Sequence, residues 1–300
     1  MKRKTGLLLI VLCVFTVLVG GVYADDPSPE QLVAEHLKSI GVASGSSQIK
    51  SVSFSGTVDV EFLQGMGGKM NGVATFVSEG NKMALNLALP DINYPGEYFA
   101  YDGRSVTVRN MQPGVRNPIA DFIFTYNKVM KNGMLGGVFS NTWPLLDIKK
   151  SRPSVMRVRK TKVEGKELYE LEYNPRDRHG DMRIRLYFDP ETYRHVRSEF
   201  MVRTDNDVSV GNNLGMDDIP WERGGGSIAA QVRGEGYYTL TEKFDDFRQI
   251  GSLTMPYSYV LDYMVDGPAL SGFIGRWKIN LLELGFNTPN INQNLFKVGK

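Results

Sequence analysis

Three histidines are the residues of this chain best suited to move a proton or hold a metal: His36, His179 and His195. They stand far apart, and none has the close partner that sets two imidazoles on one side of a metal ion. No metal site is expected. His179 sits in the densest polar cluster, Arg176-Asp177-Arg178-His179-Gly180-Asp181. A neighbouring aspartate there would orient it as a general base, yet a charged turn between two strands accounts for the same residues. Asp189 and Glu191 flank Pro190 and suit a proline turn better than a paired acid and base. No Gly-x-Ser-x-Gly occurs, so the nucleophile elbow is absent. Gly65-Met66-Gly67-Gly68 and Gly224-Gly225-Gly226 lack the spacing and the Lys-Ser/Thr of a phosphate loop. The single cysteine, Cys13, lies within the apolar N-terminal run, behind Leu12 rather than the small residue that lipoprotein acylation needs. The rest of the chain therefore has no disulfide, thiolate metal site or cysteine nucleophile. No catalytic residue, metal or cofactor is expected from these residues, and the chain is not expected to be an enzyme.

The elements that would position any such group begin after a targeting segment. Met1 to Thr5 is basic, Gly6 to Val22 is apolar, and Val22-Tyr23-Ala24 ends in a small residue before Asp25-Asp26. This is the pattern of a secretory signal peptide over residues 1–24, with 25–300 as the mature domain. The run is long enough for a retained anchor, but Gly20 and Gly21 break it and an acidic, proline-bearing segment follows. Without an organelle signature the expected compartment is a bacterial periplasm. Loss of Lys2, Arg3 and Lys4 lowers the basic count from 35 to 32 against 33 acids, so the mature chain is near neutral and no nucleic-acid partner is expected.

Ser28-Pro29-Glu30-Gln31 opens a helix: Ser28 caps, Pro29 takes the first turn and Gln31 completes a capping box. Leu32, Val33, Leu37 and Ile40 form its apolar stripe. His36 borders that stripe as a half-buried surface histidine. After a Gly/Ser linker the period becomes two. Val52, Phe54, Gly56, Val58, Val60 and Phe62 share one face of a long strand, and Ser51, Ser53, Ser55, Thr57, Asp59 and Glu61 share the other. Further strands are expected at 72–78, 83–89, 98–101 and 105–110, the last two a hairpin around Asp102-Gly103. A helix from Asn117-Pro118 carries Ile119, Phe122, Ile123, Tyr126 and Met130 and ends at Gly133, Gly136 and Gly137. Strands resume at 155–163, 167–173, 182–188 and 195–203, and again at 237–247, 253–265 and 276–284. The glycine-rich stretch 205–229 reads as a long mobile loop. About ten strands in one antiparallel sheet must curl or split into layers. The fold class is mainly β (α+β), a single curved antiparallel sheet carrying helices.

Three segments resemble a known family: Ile184 to Val196, with Asp189-Pro190-Glu191-Thr192 at its turn; Leu168-Tyr169-Glu170-Leu171-Glu172-Tyr173; and the ending Leu284 to Phe296, with Asn287, Asn290 and Leu295-Phe296. They are similar to the strand–Asp-x-x-Thr–strand hairpin and the C-terminal Asn-containing motif of periplasmic outer-membrane lipoprotein-sorting proteins of the LolA/LolB type. The resemblance implies an incomplete, strongly curved β-barrel with a helical lid, whose concave face binds acyl chains as a lipoprotein carrier or chaperone. It implies Val52, Phe54, Val58, Val60 and Phe62 as the ligand groove and Ile119, Phe122, Ile123, Tyr126 and Met130 as the lid. Where carriers of the family have an arginine that latches the lid, the nearest cation here is Lys82.

The expected partners are an acylated lipoprotein or lipid and membrane-bound donor and acceptor proteins, with the chain itself a monomer. The alternative on the same fold is an envelope sensor or protein-interaction module without lipid transport. A hydrolase built on His179 or His195 is the third reading. The basic stretch Lys149-Lys150-Ser151-Arg152, with Arg157, Arg159, Lys160 and Lys162, would attract anionic headgroups; it also suits an ordinary solubilising face.

Overall fold

A computed structural model describes residues 26–42, 49–64, 68–109, 118–177, 180, 182–205, 235–267 and 270–298. The signal segment, most of the Gly/Ser linker, His179 and the expected loop beyond Asp205 lie outside the described residues.

Helix α1 (Pro29–Ser39) forms as its cap predicts: Ser28 Oγ accepts from the Gln31 amide at 3.2 Å, and Gln31 Oε1 accepts from the Ser28 amide at 2.9 Å. Strands β1 (Ser51–Gln64), β2 (Gly68–Glu79), β3 (Lys82–Ala88), β4 (Gly96–Tyr101) and β5 (Val106–Val108) follow as a meander. The segment after them holds α2 (Pro118–Thr125), α3 (Lys128–Lys131), two 3-10 turns (Gly137–Phe139 and Pro144–Asp147) and α4 (Ile148–Ser151). A second meander comprises β6 (Val155–Val163), β7 (Lys166–Asn174), β8 (Arg183–Phe188), β9 (His195–Asp205), β10 (Glu235–Ile250), β11 (Leu253–Gly267) and β12 (Leu270–Phe286). Among the described residues the expectation of about ten strands becomes twelve, and each segment read as a strand from its alternation is one of them.

All twelve form one antiparallel sheet in the order β5-β4-β3-β2-β1-β12-β11-β10-β9-β8-β7-β6. The first and last strands thus meet in the middle, with Val58 opposite Ile279 and Val60 opposite Trp277. Curvature is built in. Ladder irregularities at Ser55/Gly56, Phe62/Gln64, Tyr187/Phe188 and Val265/Gly267 bend the strands they interrupt. Gly56 is required at the first of these, because a Cβ there would lie 2.3 Å from the Asn280 carbonyl oxygen. The sheet is open, with β5 and β6 as its edges.

That order dictates what lies over the concave face. The strands at the two edges are consecutive in the chain, so the segment joining them must cross the whole sheet, about 50 Å if it were flat at ~4.8 Å per strand. Along its length the crossing segment packs against β4 and β11, then β2, β3, β10 and β1, and finally β9. We call residues 118–151 the cover.

Candidate functional site

The floor of the concave face is the apolar side of β1. Val52, Phe54, Val58, Val60 and Phe62 are all buried. Phe54 stacks on Phe76 of β2 with centroids 5.0 Å apart, and Phe62 meets the edges of Tyr94 and Trp277 at 5.2 and 5.8 Å. Ile119, Phe122, Ile123 and Met130 of the cover are buried too, and Tyr126 is half-buried. Phe122 packs against Tyr126 at 5.0 Å and against Tyr263 of β11 at 5.8 Å. The single helix expected here is two, because Asn127 turns its side-chain amide onto the Phe124 carbonyl at 3.0 Å and stops the first.

The deepest contact of the cover was not singled out in the sequence. Phe139, fully buried, reaches Phe54 at 5.1 Å, Phe76 at 5.9 Å, Tyr259 at 5.9 Å and Phe244 at 6.2 Å. It sits among rings from β1, β2, β10 and β11. Gly137 makes this approach possible: it has φ +48°, and a Cβ there would lie 2.9 Å from Phe244 Cζ. The Gly-Gly pair ahead of Phe139 is the one sequence signal for this, and it reads first as a helix stop.

Two buried carboxylates fasten the cover to the sheet. On β4, Glu97 Oε2 accepts from the Ala120 amide at 2.9 Å and Oε1 from the Ile119 amide at 3.4 Å. These are free amides at the start of α2, so a side chain from another element caps that helix. Tyr94 donates to Glu97 Oε1 at 2.7 Å, and Trp277 Nε1 donates to the Tyr94 hydroxyl at 2.7 Å. On β10, Glu242 Oε1 accepts from the Gly136 amide at 2.7 Å and from the Tyr259 hydroxyl at 2.5 Å. Burial pushes the pKa of each carboxyl up to about 7, against the hydrogen bonds that favour the charged form. Neither glutamate was singled out in the sequence, where each interrupts an apolar face and looks like a register error.

The histidines also differ from expectation. His36 is not a half-buried surface group but wholly buried, with the ring edge-on to Trp143 and Phe188 at 5.2 Å each and Nδ1 2.9 Å from the Tyr193 carbonyl oxygen. Helix α1 sits over the sheet there, so the border of its stripe faces the core. Burial lowers the His36 pKa to about 4 and lowers that of His195 as well. The fold brings these two distant residues to 6.3 Å between ring centroids. Ser198 Oγ lies 3.2 Å from His195 Nε2. His195 Nδ1 has no partner among the described residues, so no acid orients the ring as in a serine nucleophile site. Both residues of the pair are buried.

The family-like motifs are structural pins. Asp189 Oδ1 accepts from the Thr192 amide at 2.8 Å, the Thr192 hydroxyl at 2.9 Å and the Glu191 amide at 3.1 Å. Asn287 Oδ1 accepts from the Lys50 amide at 2.7 Å, and Phe296 packs with Val77, Ala84 and Ala100 on the outer face of the sheet. Lys82 Nζ donates to Gln293 Oε1 at 2.6 Å on that same face and does not reach the cover. Of the basic stretch, Arg159 pairs with Glu170 at 2.7 Å and Lys160 with Asp26 at 3.7 Å; Lys149, Lys150 and Arg152 are exposed on and after α4, and the remaining cations lie along the edge strand β6.

Among the described residues no group of His, Cys, Asp and Glu is placed to hold a metal, and no helix is long and apolar enough to cross a membrane. No family model matches the chain, and no curated protein matches its sequence. Among solved structures it is similar to a LolA superfamily protein from Nitrosomonas europaea, at 11% identity and a TM-score of 0.43, over 90% of this chain and 98% of that one. It is similar to a DUF1329 family protein from Desulfovibrio piger at 9% identity and a TM-score of 0.43, over 91% and 98%. A Pseudomonas aeruginosa MucA/MucB complex contributes a chain at 12% identity and a TM-score of 0.21, over 87% and 99%.

Proposed function

We propose that this chain is a periplasmic carrier or chaperone that holds an acyl chain of a lipid or lipidated protein against the concave face of its sheet. The observation that carries the reading is the cover itself. A sheet face of Val, Phe and Trp is closed by a segment that is tied to the floor by few polar groups and turns through Gly133, Gly136 and Gly137, all at positive φ. Phe139 and Phe122 then hold the place that an acyl chain takes when the cover lifts. Each methylene buried contributes roughly 0.8 kcal/mol, so a chain of about 15 methylenes gains on the order of 10 kcal/mol before ordering and opening costs. Residues 25–300 act as one unit in this reading, Val52, Phe54, Val58, Val60 and Phe62 form the groove, and Ile119, Phe122, Ile123, Tyr126 and Met130 form the lid. Membrane-bound donor and acceptor proteins would load and unload it.

Titration with a fluorescent fatty acid, followed by competition with a diacylated lipopeptide, tests the proposal. Saturable binding displaced by the lipopeptide is expected. No saturable uptake would turn the assignment towards an envelope sensor or interaction module on the same fold.

A further inference from the structure

We infer that Glu97 and Glu242 are the positioning residues that clasp the cover onto the sheet, one at each end of residues 119–136, and that they set how readily the concave face opens. The inference rests on the acyl-carrier reading and names the control of that same site. Three features support it. The two carboxylates stand on strands on opposite sides of β1, β4 and β10, and each is fully buried. Each is built alike: a tyrosine from the sheet side donates to it, Tyr94 or Tyr259, and so do backbone amides of the cover, Ile119 and Ala120 or Gly136. Their cover partners bracket α2 and α3, a stretch that Lys128 and Asn132 also tie to Asp177, at 2.6 and 3.1 Å, so the two glutamates hold its ends.

A packed apolar floor alone has no use for two buried carboxyl groups, which are costly to desolvate and have to be repaid by directed hydrogen bonds. What a carboxyl adds is a bond that exists in one arrangement only. An apolar ligand makes no hydrogen bond to either group, so it competes for the floor while the clasps hold the cover closed. When the cover is shut in most molecules, apparent affinity falls by the fraction that is open. Weaker clasps therefore mean faster and tighter uptake.

The test uses the protein as purified and its Glu97→Gln, Glu97→Ala and Glu242→Gln variants. Hydrogen exchange followed by mass spectrometry is expected to show amides of 118–131 exchanging about tenfold faster or more in each variant, with β1 and β12 as protected as in the parent. Glu97→Gln keeps the size of the side chain and one acceptor oxygen, and serves if Glu97→Ala unfolds. Uptake of the fluorescent fatty acid is expected to speed up by about the same factor. Unchanged protection of 118–131, or protection lost equally across β1 and β12, would overturn the clasps, while the parent's own binding of the probe would leave the carrier reading intact. Selective exchange with no probe uptake in any form would keep the clasps and remove the carrier reading.

Discussion

Glu97 and Glu242 carry the pH behaviour of this protein, together with His36 and His195. Each glutamate moves from an ordinary 4.5 to about 7 on burial. A raised acid contributes its full stability below 4.5 and loses it as the pH rises through 7, on the order of 3 kcal/mol for each group. The groups facing Glu97 are Tyr94, Asp121 and the amides of Ile119 and Ala120, with Trp277 and Arg109 acting through Tyr94; those facing Glu242 are Tyr259, Ser198 and the Gly136 amide. His36 has the opposite sign: its pKa falls from 6.5 to about 4, so its contribution is full above 6.5 and is lost as the pH drops through 4. Denaturant unfolding across pH is expected to show maximum stability between 4.5 and 6.5. In Glu97→Gln the decline towards neutral pH should shrink by about half, since one of the two raised carboxyls is gone. A stability curve that climbs from 4.5 to 6.5 under the histidines alone and then stays level through 7.5 would show that these carboxyls ionise without cost. Sequence pattern reveals none of this, because a glutamate on an apolar face reads as a slip of register until its tyrosine and amide partners are known.

At the scale of elements, alternation made nearly every strand legible, since one face of each meets the core and the other meets water. Val52 to Phe62 is the plainest instance, and its polar partners Thr57 and Asp59 are exposed as expected. The cover was less legible. Its apolar helix was visible at 118–130, but the break at Asn127 and the plug at Phe139 depend on tertiary partners that lie far away in sequence. Phe139→Ala is expected to cost about 3–5 kcal/mol and to leave a phenyl-sized void between Phe54, Phe76 and Tyr259. A small aromatic such as benzene should then raise the melting temperature of the variant and not of the parent. A loss below 1 kcal/mol would mean that Phe139 does not fill that space. On the sheet side, Gly56→Ala pushes a methyl into the Asn280 carbonyl. It should destabilise the β1–β12 pairing by about 2 kcal/mol or more, read as a lower denaturant midpoint at unchanged slope.

The whole molecule follows from one topological fact: β1 pairs with β12, and the two edge strands β5 and β6 are neighbours in the chain. Their connection must cross the sheet, and a curved apolar sheet must bury its inner face, so the crossing segment becomes its cover. The sequence held the strands, the helix and the family-like hairpin. It did not hold the order of strands, because antiparallel neighbours far apart in sequence leave no local mark. That order is what carries residues 118–151 across the inner face of the sheet. The direct test of the carrier reading is native mass spectrometry, with organic extraction, of the mature protein recovered from a periplasmic fraction. A population carrying an acylated species is expected, lost on extraction and regained when diacyl lipid or lipopeptide is added. A protein that arrives bare and takes up neither would contradict it.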